Sequence, residues 1–266
     1  GLWTGDPPPD NAAAPPPLTE RVPGIDPDFA AILARCLHPE PAQRYPSAEA
    51  LCAALEQLLA PPGAAGNPYR GLEPFEAEHQ ALFFGRDEEV QAVLERLRQQ
   101  SLVLVAGDSG VGKSSLCHAG VVPLVAEGAL EDGFTWRPAR MVPGRRPVAT
   151  LAAVLAPHFS LEEARIEQLA REEPTALVRS LRASLGEHTR QGVLLHVDQL
   201  EELVTLSEPG ESLLMAELLA QIASGLAGVR LLATVRSDFL TRLGVLPGLG
   251  EALSRALYLL RPLGRE

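Results

Sequence analysis

Lysine is almost absent from the chain. Of its 23 basic residues, 22 are arginine, and Lys113 is the only lysine. A function that needs two lysines is therefore excluded, and a function that needs one must use Lys113. The preference for arginine, alanine and proline is typical of a GC-rich genome, so the bias itself carries no functional information. It makes the position of the one remaining lysine informative.

Cysteine and long apolar runs are also scarce. Cys36, Cys52 and Cys117 are too few and too scattered for a disulfide framework or a thiolate metal site. The six histidines are dispersed and show no metal-ligand spacing. The longest strand-like apolar run, Leu102–Ala106, is far shorter than the roughly 18–20 residues of a membrane helix, and Gly1–Pro9 lacks the layout of a signal peptide. We therefore expect a soluble, cytoplasmic protein that contacts no membrane.

The net charge excludes a further class of partner. The chain carries 34 acidic residues against 23 basic ones, which gives a formal charge of −11. Such a balance argues against a general nucleic-acid-binding surface. A length of 266 residues with 46% apolar residues is enough for one or two domains with a substantial core.

The composition changes along the chain. Residues 1–26 are rich in proline and alanine and predict an extended lead-in without a core. Residues 27–60 predict two short helices, the second with Ser47 as its N-cap. Residues 61–66, which contain Pro61-Pro62-Gly63, predict a linker. From residue 67 onward, strands and helices alternate.

This alternation predicts an α/β fold. The strand patterns lie at Leu102–Ala106, Arg137–Val142, Val193–Val197, Leu231–Val235 and Ala256–Leu260. The helical patterns lie at Asp87–Gln99, Lys113–Val125, Pro174–His188 and Glu211–Leu226. Short buried strands separated by helices are typical of a parallel sheet that is covered on both faces, which makes three layers.

A phosphate-binding loop follows the first strong strand. The segment Gly107-Asp108-Ser109-Gly110-Val111-Gly112-Lys113-Ser114 fits G-x-x-x-x-G-K-[ST] at every fixed position, and Ser115 continues it. Glycines let backbone N–H groups point at phosphate oxygens, and the following helix adds its positive end. Lys113 can reach the β- and γ-phosphates, and the Ser114 hydroxyl can bind Mg²⁺. The only lysine thus occupies the position that this mechanism requires.

An acidic residue ends the third strand. Asp198 can hold Mg²⁺ beside Ser114. Gln199 follows it, where many hydrolysing relatives carry glutamate; it can orient water but cannot act as a base. Glu201 and Glu202 come next, and either one, Glu201 first, can act in hydrolysis, or both can simply begin a solvated helix.

The fourth strand also ends in polar residues. If it lies beside the phosphate-loop strand, Thr234 or Arg236 faces the γ-phosphate. Arg236 is then expected to sense whether the third phosphate is present. The alternative is an arginine that pairs with Asp238, and the two arrangements are compatible.

Together these motifs resemble the STAND NTPases, specifically the novel STAND type of bacterial signalling proteins. The resemblance covers residues 67–266 and rests on Asn67-Pro68-Tyr69-Arg70-Gly71-Leu72, Phe75, Phe83-Phe84-Gly85-Arg86-Asp87-Glu88-Glu89, the phosphate loop, Asp198-Gln199-Leu200-Glu201-Glu202 and Val235-Arg236-Ser237-Asp238-Phe239. It implies an AAA+-like ATPase used as a nucleotide-controlled switch, with strand order 5-1-4-3-2. It also implies that Phe84, Gly85 and Arg86 lie by the adenine, mostly through backbone contacts.

Residues 27–60 resemble the last helices of a bacterial Ser/Thr protein kinase. The likeness rests on the segment Ala34–Leu51, in which Arg44 matches a structural arginine. The catalytic kinase segments are missing, so the chain cannot be a working kinase, and we interpret it as part of a kinase–STAND fusion. After Leu259-Leu260-Arg261-Pro262-Leu263, which resembles the start of a lid, the lid and winged-helix element are also missing.

Three other functions compete with an ATPase, and one of them is an interaction fragment whose nucleotide site is idle, which a failure to bind nucleotide would reveal. A GTPase of the usual kind needs an N-K-x-D segment, for which no lysine is available. A module that binds ATP without hydrolysing it, and holds partners according to nucleotide state, remains open because of Gln199. We expect ATP and Mg²⁺ as ligands, the other domains of a fusion protein and self-association as interactions, and no nucleic acid.

Overall fold

The computed structural model describes residues 22, 25–59, 71, 73–185, 190–226 and 228–264. They belong to two compact units, residues 1–66 and residues 67–266, which are treated separately below. The predicted linker and most of the predicted lead-in lie outside these residues. So does the stretch from Asn67 to Arg70 of the family motif.

The described residues of the first unit form two α-helices. Helix α1 spans Pro27–Cys36, and the side chain of Asp26 caps it by accepting two backbone N–H groups. A single 3₁₀ turn, Pro41–Gln43, leads towards helix α2 at Ala48–Leu59. The Ser47 hydroxyl accepts the backbone N–H three residues on, at 3.2 Å, so Ser47 caps α2 as the sequence predicts.

The second unit is built on a parallel sheet. Its strands are β1 (Leu102–Gly107), β2 (Thr135–Met141), β3 (Gln191–Val197), β4 (Val229–Arg236) and β5 (Leu257–Leu259). They pair in parallel in the order β2-β3-β4-β1-β5. This confirms the α/β class and the strand order 5-1-4-3-2.

Helices connect these strands. Helix α3 spans Asp87–Gln99, and helix α4 runs through Lys113–Ser115, a π-helical segment Leu116–Val121 and Val122–Ala126. Beyond β2 come α5 (Pro147–Leu155), α6 (Glu163–Glu172), α7 (Pro174–Leu185), α8 (Glu202–Thr205), α9 (Pro209–Gly225), α10 (Leu240–Leu243) and α11 (Leu249–Ala256).

The apolar residues of β1 explain why helices cover both faces of the sheet. Leu102, Leu104 and Ala106 face one side and pack with α5, α6, α7, α9 and α11. Val103 and Val105 face the other side and pack with α3 and α4. Side chains alternate along a strand, so a continuous apolar run requires a layer on each face. The sheet and the helices on its two faces therefore form the predicted three layers.

The strand register brings the ends of three strands together. Gly107 at the end of β1 pairs with Arg236 at the end of β4, and Asp198 directly follows β3 on the other side of β4. Loops after parallel strands emerge at the same edge of the sheet. The predicted phosphate loop, acidic residue and arginine therefore meet at one edge. Within the part of the chain that is described, no helix is both long and apolar enough to span a bilayer.

Candidate nucleotide-binding site

Glycine is required at the turns of the loop between β1 and α4. Gly110 and Gly112 have φ angles of +77° and +96°, a conformation that side chains with a Cβ adopt at a cost. Gly107 is required for a different reason, since a Cβ there would lie 2.8 Å from the carbonyl oxygen of Leu260. The loop thus curls into the open shape that phosphate binding needs.

Lys113 begins α4 and points back over the loop. Its ammonium group donates hydrogen bonds to the carbonyl oxygens of Gly107 and Asp108, at 3.0 and 2.8 Å. Burial lowers the pKa of Lys113, while the nearby carboxylates of Glu201 and Asp198 oppose that shift. A buried cation held only by carbonyl oxygens is suited to bind an anion placed in the loop.

Asp198 joins the loop helix to the neighbouring strands. Its Oδ1 atom accepts hydrogen bonds from the Ser114 hydroxyl, at 3.0 Å, and from the Thr234 hydroxyl. Thr234 in turn accepts the backbone N–H of Gln199 at 3.0 Å. Thr234 is fully buried, so it fixes the position of the carboxylate.

The charge state of Asp198 depends on groups beneath it. Burial alone would raise its pKa, but the His118 imidazole and the Thr234 hydroxyl outweigh burial and hold the pKa well below its usual range. His118 Nε2 lies 3.2 Å from Asp198 Oδ2. The imidazole ring of His196 is edge-on to that of His118, with centroids 5.0 Å apart. Asp198 is therefore ionised at neutral pH and available to a cation.

The residues after Asp198 take different directions. Gln199 has a left-handed backbone, with φ of +57°. Glu201 faces the site, and its Oε2 accepts the backbone N–H of Arg236 at 3.3 Å. Glu202 turns away and accepts the N–H of Gly144 at 2.8 Å. Burial raises the pKa of Glu201. Of the two acids that the sequence leaves open, only Glu201 lies at the site.

Arg236 makes the pairing with Asp238 that the sequence analysis gives as the alternative, and it also lines the site. Its guanidinium donates two hydrogen bonds to the Asp238 carboxylate, at 3.1 and 2.7 Å. The next residue, Ser237, donates a hydrogen bond to Asp108 of the phosphate loop at 2.6 Å. The end of β4 is thus tied to the loop beside it.

The Phe84-Gly85-Arg86 segment lies on the β5 side of the loop. Arg86 is buried and donates hydrogen bonds to the carbonyl oxygens of Val111 and Arg261, at 3.1 and 2.9 Å. Phe84 is 68% exposed. The segment therefore holds the phosphate loop against the chain after β5, and its aromatic side chain stays open to a ligand.

Residues ahead of α3 cover the other side of the loop, and of these contacts the sequence analysis missed the one between Glu76 and Arg140. The backbone N–H of Phe75 donates to Ser115 Oγ at 3.1 Å. Glu76 accepts a hydrogen bond from Arg140 of β2 at 2.8 Å, and its other oxygen lies 3.3 Å from His118 Nδ1. Sequence alone does not reveal the contact of Glu76 with Arg140, because β2 lies three positions away from β1 in the sheet.

Lys113, Asp198, Glu201 and Arg236 are among the residues that line a cavity of about 480 Å³. Residues of both the loop and the neighbouring strands line it: Gly71, Glu73, Pro74, Ser109, Gly110, Gly112, Lys113, Ser114, Ser115, Arg140, Val142, Asp198, Gln199, Glu201, Thr234 and Arg236. Gly107, Asp108, Val111 and the Phe84–Arg86 segment lie outside its lining. A larger groove of about 820 Å³ between α9 and α11 has none of the phosphate-loop residues.

The family model for novel STAND NTPase 1 matches residues 68–266, three quarters of the chain. The chain belongs to this family. The STAND and P-loop NTPase parts of the sequence interpretation are confirmed, and the chain is a nucleotide-binding NTPase. A search of curated proteins gives no match.

Solved structures match the chain at low sequence identity. A Walker-type ATPase of Pyrococcus abyssi is 17% identical over 73% of this chain and 58% of its own, with a TM-score of 0.49. The ORC2 protein of Aeropyrum pernix, in ADPNP and ADP complexes, is 16% identical over 68% of this chain and 48% of its own, also with a TM-score of 0.49. The chain thus spans about half the length of these proteins.

Proposed function

We propose that this STAND NTPase binds Mg²⁺-ATP and hydrolyses it slowly, as a switch controlled by the bound nucleotide. The observation that carries the proposal is one cavity lined by Lys113, Ser114, Asp198 and Glu201. These four side chains supply a cation, two oxygen ligands and a base, which are the groups that phosphoryl transfer to water requires.

The phosphate loop binds the triphosphate. Gly110 and Gly112 turn the backbone N–H groups inward, and the start of α4 adds the positive end of a helix. Lys113 exchanges its two carbonyl acceptors for phosphate oxygens, which is favourable because an anion neutralises the buried ammonium group. Phe84 and Gly85, on the β5 side, lie by the adenine.

Ser114 and Asp198 fit a magnesium ion. Their oxygen atoms are 3.0 Å apart, both line the cavity, and Mg²⁺ binds to oxygen ligands. When bound, Mg²⁺ neutralises charge on the β- and γ-phosphates. Thr234 keeps Asp198 in place whether or not the nucleotide is bound, because it is fully buried and bonded to the carboxylate.

Glu201 accepts the proton of the attacking water. Burial raises its pKa, which makes it a better proton acceptor than an exposed glutamate. Gln199, at the cavity wall, orients the water through its amide. Because the Arg236 backbone N–H is bonded to Glu201, the base and the end of β4 move together.

Arg236 senses the γ-phosphate. Its guanidinium is held by Asp238 and is exposed enough to turn toward a third phosphate. That movement changes the start of the helical segment after β4, where Ser237 already contacts the phosphate loop. The signal then passes to the other domains of a cytoplasmic kinase–STAND fusion, for which residues 27–60 supply the kinase tail and residues 67–266 the NTPase.

The Glu201→Gln variant tests the proposal. We expect it to bind Mg²⁺-ATP as the unchanged chain does and to release ADP at least about tenfold more slowly. Glu202→Gln is the matched control, because Glu202 bonds to Gly144 instead, and it should keep the original rate. Equal rates in both variants would refute Glu201 as the base.

A non-hydrolysing nucleotide-gated module is the second candidate. Gln199 favours it, since an amide at the cavity wall cannot accept a proton. If the unchanged chain binds Mg²⁺-ATP and releases no ADP, this second function replaces the first.

A further inference from the structure

Two histidines lie next to each other beneath Asp198, although they are 78 residues apart in the sequence. His118 is on α4 and His196 on β3, and their side chains are 4% and 1% exposed. Asp198 follows His196 by two residues and therefore faces the same side of the sheet. Each of the three residues offers one ligand atom, and these atoms all lie within 4.8 Å of one another.

The ring nitrogens of both histidines are shielded from solvent. Those of His118 each face a carboxylate oxygen, at 3.3 and 3.2 Å, whereas those of His196 have no hydrogen-bond partner among the described residues. Leaving buried polar atoms unpaired costs about 1–3 kcal/mol for each group, so such atoms are rare without a ligand. The two nitrogen ligands and one carboxylate oxygen form the donor set that zinc and its neighbours in the first transition series prefer.

We propose that His118, His196 and Asp198 bind a divalent transition-metal ion such as Zn²⁺ or Co²⁺, at a site separate from the magnesium of the nucleotide. His118 Nε2 and Asp198 Oδ2 are 3.2 Å apart. Two ligands of a tetrahedral zinc ion are separated by about 3.3 Å, because each lies about 2.0–2.1 Å from the metal. This pair thus already has the spacing of two ligands.

The surroundings favour the same assignment. His118 Nδ1 lies 3.3 Å from Glu76 Oε1, so a carboxylate stands behind the ring on the side opposite Asp198. Histidines that bind metals commonly direct their second nitrogen to a carboxylate. His118 also lies in the π-helical segment of α4, and such segments are frequent at functional sites.

The two carboxylate oxygens of Asp198 face different sites. Oδ1 accepts the Ser114 and Thr234 hydroxyl groups, whereas Oδ2 faces His118. The new ion therefore does not need the Ser114 hydroxyl. It reaches the site through the nucleotide cavity, which Asp198 lines. Once bound, it ties α4 to β3 and fixes the carboxylate that the nucleotide uses.

Metal binding to the complete chain tests this site. A chelator first removes any bound metal, and no nucleotide is present. Co²⁺ titration followed by visible absorption, and Zn²⁺ titration followed by calorimetry, should each give one ion per chain. Millimolar Mg²⁺ should not displace it, because Mg²⁺ prefers oxygen ligands. Absence of a stoichiometric ion, or its release by Mg²⁺, would overturn the proposal without any variant having to fold.

Variants then separate this site from the nucleotide site. We expect His118→Gln and His196→Gln to weaken Co²⁺ binding more than about tenfold, and Ser114→Ala to retain it. His158→Gln is the matched histidine control, since His158 lies in a separate turn before α6, and it should bind as the unchanged chain does. Equal Co²⁺ affinity in all four variants would contradict the assignment. Mg²⁺-ATP binding is measured separately, so a failed metal site leaves the nucleotide site standing.

Discussion

At the scale of single residues, the environment of Lys113 is the most unusual feature of the site. A buried ammonium group has only backbone carbonyl oxygens as hydrogen-bond acceptors, and burial lowers its pKa. It is also the only side-chain amine in the sequence. A reagent that acylates amines therefore reports on this residue alone, apart from the terminal amine.

We predict that such a reagent modifies Lys113 and that Mg²⁺-ATP slows the reaction. The rate should reach half its maximum at a pH below 10.5, the ordinary pKa of lysine, because burial favours the neutral, reactive amine. Mass spectrometry of the modified peptide measures both effects. A rate that Mg²⁺-ATP leaves unchanged would show that phosphates do not cover this amine.

His196 gives a prediction about pH. Burial lowers its pKa from 6.5 to about 3. Between these values the unfolded chain carries a proton on this ring and the folded chain does not, so the free energy of unfolding falls as the pH falls. In the His196→Gln variant, the dependence of the free energy of unfolding on pH should be smaller by up to about 1.4 kcal/mol per pH unit. Denaturant unfolding at several pH values, in the presence of a chelator, measures this dependence. An unchanged slope would mean that the ring is protonated in the folded protein.

The residues of the site fall into two groups. Local sequence signals predict the first group, and only tertiary contacts bring the second group to the site. The phosphate loop, Asp198 and Arg236 were predictable because a strand precedes each of them and the chemistry demands those residue types. Arg140 and the histidine pair were not predictable, because the spacing of the histidines along the sequence gives no sign that two of them meet in space. Residues far apart in sequence meet only through the strand order and the packing of α4 on β3.

At the scale of elements, strands with strong apolar runs were predictable from the sequence. Elements whose apolar pattern is uniform or weak were not. The patterns for β1, β3 and β4 match their observed positions because nearly every residue in each run is apolar and both faces are buried. Helix α5, Pro147–Leu155, is apolar on nearly all sides. It therefore lacks the periodicity that distinguishes a helix from a strand, and the sequence analysis missed it.

The close packing of α4 on α3 gives a prediction about stability. A Cβ on Gly120 would lie 2.6 Å from Val90 Cγ2 and 3.3 Å from Phe83 Cε1. We expect Gly120→Ala to lower the free energy of unfolding by about 1–3 kcal/mol, because the helices must move apart. Chemical denaturation measures this change.

Gly210 provides the matched helical control. It lies in the first turn of α9, where an added Cβ would meet no atom within 4 Å. Gly210→Ala should therefore leave stability unchanged or raise it by up to about 1 kcal/mol. If Gly120→Ala proves as harmless as this control, the packing of α4 against α3 is looser than described.

At the scale of the whole molecule, the nucleotide site belongs to one unit. Every residue that lines the cavity lies within 67–266, the unit that the family model matches. We predict that a chain limited to these residues folds and binds Mg²⁺-ATP with the affinity of the complete chain. Circular dichroism and calorimetry check the two parts of this prediction. A loss of affinity in a folded fragment would show that residues 1–66 contribute to binding.

The central claim is that Lys113 binds the phosphates of Mg²⁺-ATP, and calorimetric titration of the complete chain tests it most directly. Lys113→Ala is compared with Arg179→Ala, which removes an exposed cation on α7. We predict saturable binding by the unchanged chain and by Arg179→Ala, and none by Lys113→Ala at the same concentrations. Equal affinity in all three chains would contradict the claim that this cavity is the nucleotide site.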